Sequence, residues 1–131
     1  MTGKVVLELT REQAMTVEHA CELYARLKIG QFDRITENFL DFGLDVNEYC
    51  ERRDTANDLL KVVAGVIYGR NYYGRPELKD IEHKRAWEIY ATLRHARSWH
   101  DNPNGDHMSC YYDEVRPESG DPLPKCEVKE G

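Results

Sequence analysis

Between Leu59 and Ile67 the chain carries Leu59, Leu60, Val62, Val63, Val66 and Ile67. Wound as an α-helix, this stretch is apolar nearly all round. A helix without a polar face is expected deep in a core, and this requirement constrains the fold more than any other feature of the sequence. The preceding residues Glu48, Glu51, Arg52, Arg53 and Asp54 are charged. The helix predicted over residues 46–68 therefore has a solvated first half and a buried second half. Its longest uninterrupted apolar run, residues 62–68, is seven residues long. A membrane span needs roughly 20, so no membrane is expected as a partner.

Three more helices are predicted around it. Thr10-Arg-Glu-Gln13 fits a capping box, with Thr10 as N-cap and Gln13 reaching back. The helix it opens, over residues 11–28, sets Ala14, Val17, Cys21 and Tyr24 on one stripe and stops at Gly30. A second helix over residues 31–41 buries Phe32, Ile35, Phe39 and Phe42 and closes at Gly43. The last begins near residues 78–81, ends near Trp99, and buries Ala86, Ile89, Leu93 and Ala96, with Trp87 and Tyr90 on an adjoining face. Extended segments flank the helices. Lys4-Val-Val-Leu-Glu-Leu9 is β-rich, Asn102-Pro-Asn-Gly105 is a turn, residues 107–115 alternate as a strand, and residues 126–128 form a last short extended piece. The expected fold is α+β: four helices with N- and C-terminal strands pairing as a small antiparallel sheet. Residues 1–115 form one domain and residues 116–131 an extended acidic tail containing Pro and Gly. A two-stranded ribbon is marginal alone, so it must pack on the helices or be extended by a second copy, which makes a homo-oligomer an alternative.

The 131 residues carry a net charge of -6, with 40% hydrophobic and 32% charged residues. This balance is that of one globular domain and excludes a disordered or collagen-like chain. Residues 1–100 hold 15 basic and 16 acidic residues, and residues 101–131 hold 3 and 8. The acidity is thus C-terminal, and duplex nucleic acid is not expected as a partner, because such binding neutralises phosphates. No apolar leader core follows Met1, and the four cysteines lie far apart. A reduced cytoplasmic location without a disulfide framework is expected.

Chemistry-bearing residues gather in two places. Gly69-Arg-Asn-Tyr-Tyr-Gly74 has the glycine spacing of a P-loop, but Arg75-Pro76 stands where Lys-Ser/Thr is required and a helix precedes it. Arg70, Asn71, Tyr72, Tyr73 and Arg75 still combine guanidinium forks with stacking faces, the equipment to grip a nucleotide-like anion. At the end of the last helix, Arg94, Arg97 and His100 share one face, and His95 and Trp99 another. Basic residues there also suit the helix dipole, which is the plainer explanation of their placement. His95, His100, His107, Asp101, Asp106 and Cys110 show no paired metal-ligand spacing. No G-x-S-x-G or H-E-x-x-H occurs, and Cys110 and His107 would point to opposite faces of one strand. No catalytic residue, cofactor or metal is expected.

Three segments carry a resemblance: Glu22-Leu-Tyr-Ala-Arg26 into Ile29-Gly-Gln-Phe32; Trp87-Glu-Ile-Tyr90 into Leu93-Arg-His95 and Trp99; and Ser119-Gly-Asp-Pro-Leu-Pro124. Over most of its length the chain resembles a family of small uncharacterised phage and prophage proteins. The resemblance implies a soluble accessory protein of an infected bacterial cytoplasm that binds and neutralises something of the host. No catalytic residue transfers from it. The expected function is therefore non-enzymatic counter-defence. In that reading Arg70, Asn71, Tyr72, Tyr73, Arg75, Arg94, Arg97, Trp99 and His100 sequester a small anionic nucleotide-like ligand in a shared hollow. The alternative is an inhibitor of a host defence enzyme, acting through the acidic surface of Asp113, Glu114, Glu118 and Asp121.

Overall fold

The computed structural model describes residues 3–69, 76, 78–104 and 114–130. Four helices occur among them: α1, Arg11–Lys28; α2, Asp33–Phe39; α3, Val46–Tyr68; and α4, Glu82–Asp101. The described residues contain no strand, so the architecture is all-α and the expected α+β fold is overturned. Residues 4–9 make no ladder, and Val5 and Val6 are almost wholly exposed. Their β-branched side chains supply propensity, but a strand exists only where another pairs with it. Residues 114, 115 and 126–128 are not strand either, and the remainder of the expected second strand, residues 107–113, lies outside the described residues.

Local signals set the helix ends. The Gln13 amide donates to Thr10 Oγ1 at 3.2 Å and the Thr10 amide to Gln13 Oε1 at 2.9 Å, a reciprocal capping box. At the other end of α1, Gly30 has φ 89°. The Gly30 amide donates to Leu27 O at 3.0 Å and the Gln31 amide to Arg26 O at 2.9 Å, closing a Schellman motif. Asp45 caps α3 by accepting from the Glu48 amide at 3.0 Å. Asp80 accepts from the Glu82 amide at 3.1 Å as α4 begins.

The chain divides into two compact units, with the divisions falling inside α1 and α4. One unit comprises the described residues of Met1–Glu22 and Arg85–Gly131, the other those of Leu23–Lys84. In the first, α4 buries Ala86, Glu88, Tyr90, Ala91 and Thr92, which is wider than the predicted stripe, while Ile89 is left partly in water. α4 is covered on more than one side because the first part of α1 reaches it through Glu18 and the C-terminal segment through Ser119 and Asp121. That segment, residues 114–130, has no regular secondary structure and is anchored along α4.

In the second unit α2 packs on α3. Among its described residues Ala25, Thr36 and Ala64 are buried. The rings of Phe32 and Tyr68 lie 5.9 Å apart, and the Tyr68 hydroxyl sits between the carbonyls of Leu27 and Lys28 at 3.0 and 3.1 Å, closing the last turn of α1. Lys28 pairs with Asp80 at 2.9 Å, and the Tyr24 hydroxyl donates to Glu82, so Tyr24 lies partly in water instead of on the buried stripe. α2 is shorter than predicted and turns Thr36 inward, leaving Phe39 and Phe42 exposed, with Phe42 stacked on Tyr49 at 5.6 Å.

The largest departure concerns α3. Its second half is not deep in a core: Leu59, Val62, Val63, Val66 and Ile67 are exposed. A unit of about sixty residues has too little chain to wrap a helix on every side. The face of α3 carrying Ala64 is covered, and the opposite apolar face is left over.

Candidate functional site

The predicted site residues on α4 are each held by neighbours within the first unit. Arg94, one turn after Tyr90, donates to the Tyr90 hydroxyl and places its guanidinium carbon 5.6 Å from that ring's centroid. Arg97 reaches across to α1, where its Nε and Nη2 each donate to one oxygen of Glu18 at 2.9 Å. The Glu18 residue is only 2% exposed, so this bidentate fork compensates a carboxylate removed from water. Trp99 lies against His95, with ring centroids 6.1 Å apart and planes at 53°. His100 contacts Glu130 through Nε2 and Asp101 through Nδ1, the latter at 3.3 Å. Arg70, Asn71, Tyr72, Tyr73 and Arg75 lie outside the described residues, as do Asp106, His107 and Cys110.

The end of α4 is thus a set of internal ties. Arg11 forms an ion pair with Asp101, which also faces His100, and His100 in turn holds Glu130 near the C-terminus. The Glu130 carboxylate, and after it that of Asp101, raise the His100 pKa above 6.5. Arg11 first, then His100, lower Asp101 from 3.8 to about 2. The raised histidine contributes stability that is complete below pH 6.5 and is lost as pH rises through its folded value. The lowered carboxylate contributes stability that is present above pH 3.8 and is lost as pH falls towards about 2. The C-terminal segment should be held best between these limits. Amide exchange of residues 125–130 should be slowest near pH 5 after correction for intrinsic rates, and His100→Gln should remove the alkaline limb alone.

Burial, with the nearby Glu18 charge adding to it, pushes the Cys126 thiol pKa up, and burial does the same to Cys21. Both therefore hold less thiolate at neutral pH than a free cysteine, the reverse of what a nucleophile needs.

What α3 presents is different in kind. Leu59, Val62, Val63, Val66 and Ile67 follow the i, i+3, i+4, i+7, i+8 spacing of a single helix face. They are between 44% and 79% exposed. Surfaces of monomeric proteins scatter single apolar residues, whereas contiguous patches mark contact sites. At the N-terminal end of the same helix, Glu48 and Arg52 form an ion pair at 2.7 Å, which bounds the patch with charge. Among the described residues no helix is long and apolar enough to cross a membrane.

Sequence reasoning named the α3 residues but assigned them to a core. The sequence pattern singles out neither Glu18 nor Glu88, and both are 2% exposed. Glu18 does share a stripe with Ala14, Cys21 and Ala25 at spacings of four, three and four residues. Comparison with family models, with curated proteins and with solved structures finds no match.

Proposed function

We propose that this chain is a non-enzymatic binding protein that works through protein–protein contact, with the exposed apolar face of α3 as its contact surface. The observation that carries this reading is the set of five large aliphatic side chains left in water on one helix face. Keeping such a patch solvated costs stability and solubility, and covering it recovers about 25 cal/mol per Å2 of apolar surface. Sequestration of an anionic ligand by Arg70, Arg94 and Arg97 receives less support. Glu18 occupies two donors of the Arg97 fork, and Arg94 lies on Tyr90. The acidic C-terminal segment is also drawn inward in part, with Asp121 held by Arg85 at 2.6 Å. On the resemblance to phage proteins, the setting would be counter-defence in a host cytoplasm.

Site-specific photo-crosslinking in the cells that make the protein tests the reading. A benzophenone side chain at Leu59 or at Val66 should give discrete protein adducts, and the same group at Lys61, off the apolar face of α3, should not. Absence of adducts at both stripe positions, or equal adducts at Lys61, would remove the α3 face as a contact surface.

A further inference from the structure

Resting on that reading, we infer that the occupant of the α3 face is a second copy of this chain, with the two α3 helices packed antiparallel about a two-fold axis near Val63. Leu59, Val62, Val63, Val66 and Ile67 are centred on that residue and include no charge. A two-fold operation there sets Leu59 of one copy opposite Ile67 of the other and brings the two Val63 residues together at the axis. The patch therefore covers itself, apolar on apolar, as an isologous interface requires. The helix ends at Tyr68, and Gly69 takes φ 106° and ψ 161°. In the antiparallel pair each copy accordingly overlaps the other over residues 58–68, a length of about 16 Å. Glu48 and Arg52 fall beyond this overlap, so the charged half of α3 is not driven against the apolar half.

The area agrees. Each of the five side chains leaves on the order of 100 Å2 in water. The patch is then about 500 Å2 per copy and about 1,000 Å2 for the pair, the lower bound for a specific interface. An interface of that size lies at the weak, reversible end of the range. A foreign helix would need its own matching apolar stripe of the same length, whereas a second copy supplies one by symmetry.

Sedimentation velocity and equilibrium of the full chain over about 1–300 μM would test this. The weight-average mass should rise from 15.3 kDa towards twice that value. Val66→Lys should remain at the monomer mass throughout and keep the wild-type helical circular dichroism, since residue 66 is exposed in the single chain. Orientation is read separately by oxidative trapping. Against the wild-type background, Val63→Cys should trap a disulfide-linked dimer and Ile67→Cys should not, because an antiparallel pair separates the two residues 67. A monomer at every concentration would overturn the second copy as occupant. If the benzophenone at Val66 still gave adducts of another mass, the contact-surface reading would stand, and without such adducts both would fall. Association undiminished by Val66→Lys, or trapping by Ile67→Cys as readily as by Val63→Cys, would likewise overturn the proposed pair.

Discussion

Arg97→Met should destabilise the fold by about 3 kcal/mol, read as a lower urea midpoint at unchanged slope. The reason lies in the partner left behind. The Glu18 side chain is 3% exposed, and both its oxygens accept from the one guanidinium. Methionine fills much of the space but donates nothing, so a carboxylate would remain buried without compensation. Breaking a buried ion pair from one side costs about 3–5 kcal/mol, and the partial exposure of Arg97 places this case at the low end. Removing both charges should be far milder. Glu18→Leu with Arg97→Met replaces the pair by apolar groups of similar volume and should recover most of the loss, since the desolvation cost disappears along with the attraction. A single-variant cost below about 1 kcal/mol would mean that water reaches Glu18 and that the pair behaves as a surface pair. The double variant would then show no recovery.

The parts of this fold legible in the sequence are those determined within a few residues of chain. The Thr10–Gln13 box and the Gly30 stop are each settled by atoms less than two turns apart, and both are present as read. The four helices follow from the same local rules. What sequence periodicity could not supply is the identity of the covering surface. Lys4–Leu9 has strand composition, but strand formation depends on a distant partner edge, and the described residues provide none. The composition of Leu59–Ile67 predicts core, because apolar faces gain from cover. In the single chain that face lies in water, and periodicity does not distinguish an apolar face covered by the chain itself from one left for another molecule. Glu18 goes unsignalled for the converse reason. A carboxylate is assigned to water by default, and the arginine that draws it inward lies 79 residues away. In the basic end of α4 the helix dipole alone accounted for the composition, and the observed ties of Arg97 and His100 add structural roles to that account.

The second large effect is expected at Glu88, which is 2% exposed and holds the C-terminal segment against α4. Its Oε1 accepts from the Ser119 hydroxyl, and its Oε2 accepts from the Glu118 amide at 3.2 Å and more weakly from the Ser119 amide at 3.5 Å. Just beyond, Gly120 takes φ 89°, a conformation other residues rarely adopt, and the Asp121 amide donates back to Ser119 Oγ at 3.1 Å. The turn is therefore built around one carboxylate. Glu88→Ala strands these donors where water reaches poorly and should cost about 2–3 kcal/mol, since hydrogen bonds to charged groups are worth about 1.5–3 kcal/mol each. Glu88→Gln separates geometry from charge. Its amide oxygen can take the Glu118 amide, and its NH2 can donate to the Ser119 hydroxyl, so a loss of only about 1 kcal/mol is expected. The damage should also be local. Trypsin should cut Glu88→Ala faster than wild type at Lys125 and Lys129, while the amides of α2 and α3, in the other unit, exchange as before. Cleavage at wild-type rates in Glu88→Ala would show that the segment is retained by its other ties, Asp121 to Arg85 and Glu130 to His100, and that the buried carboxylate only shapes the turn.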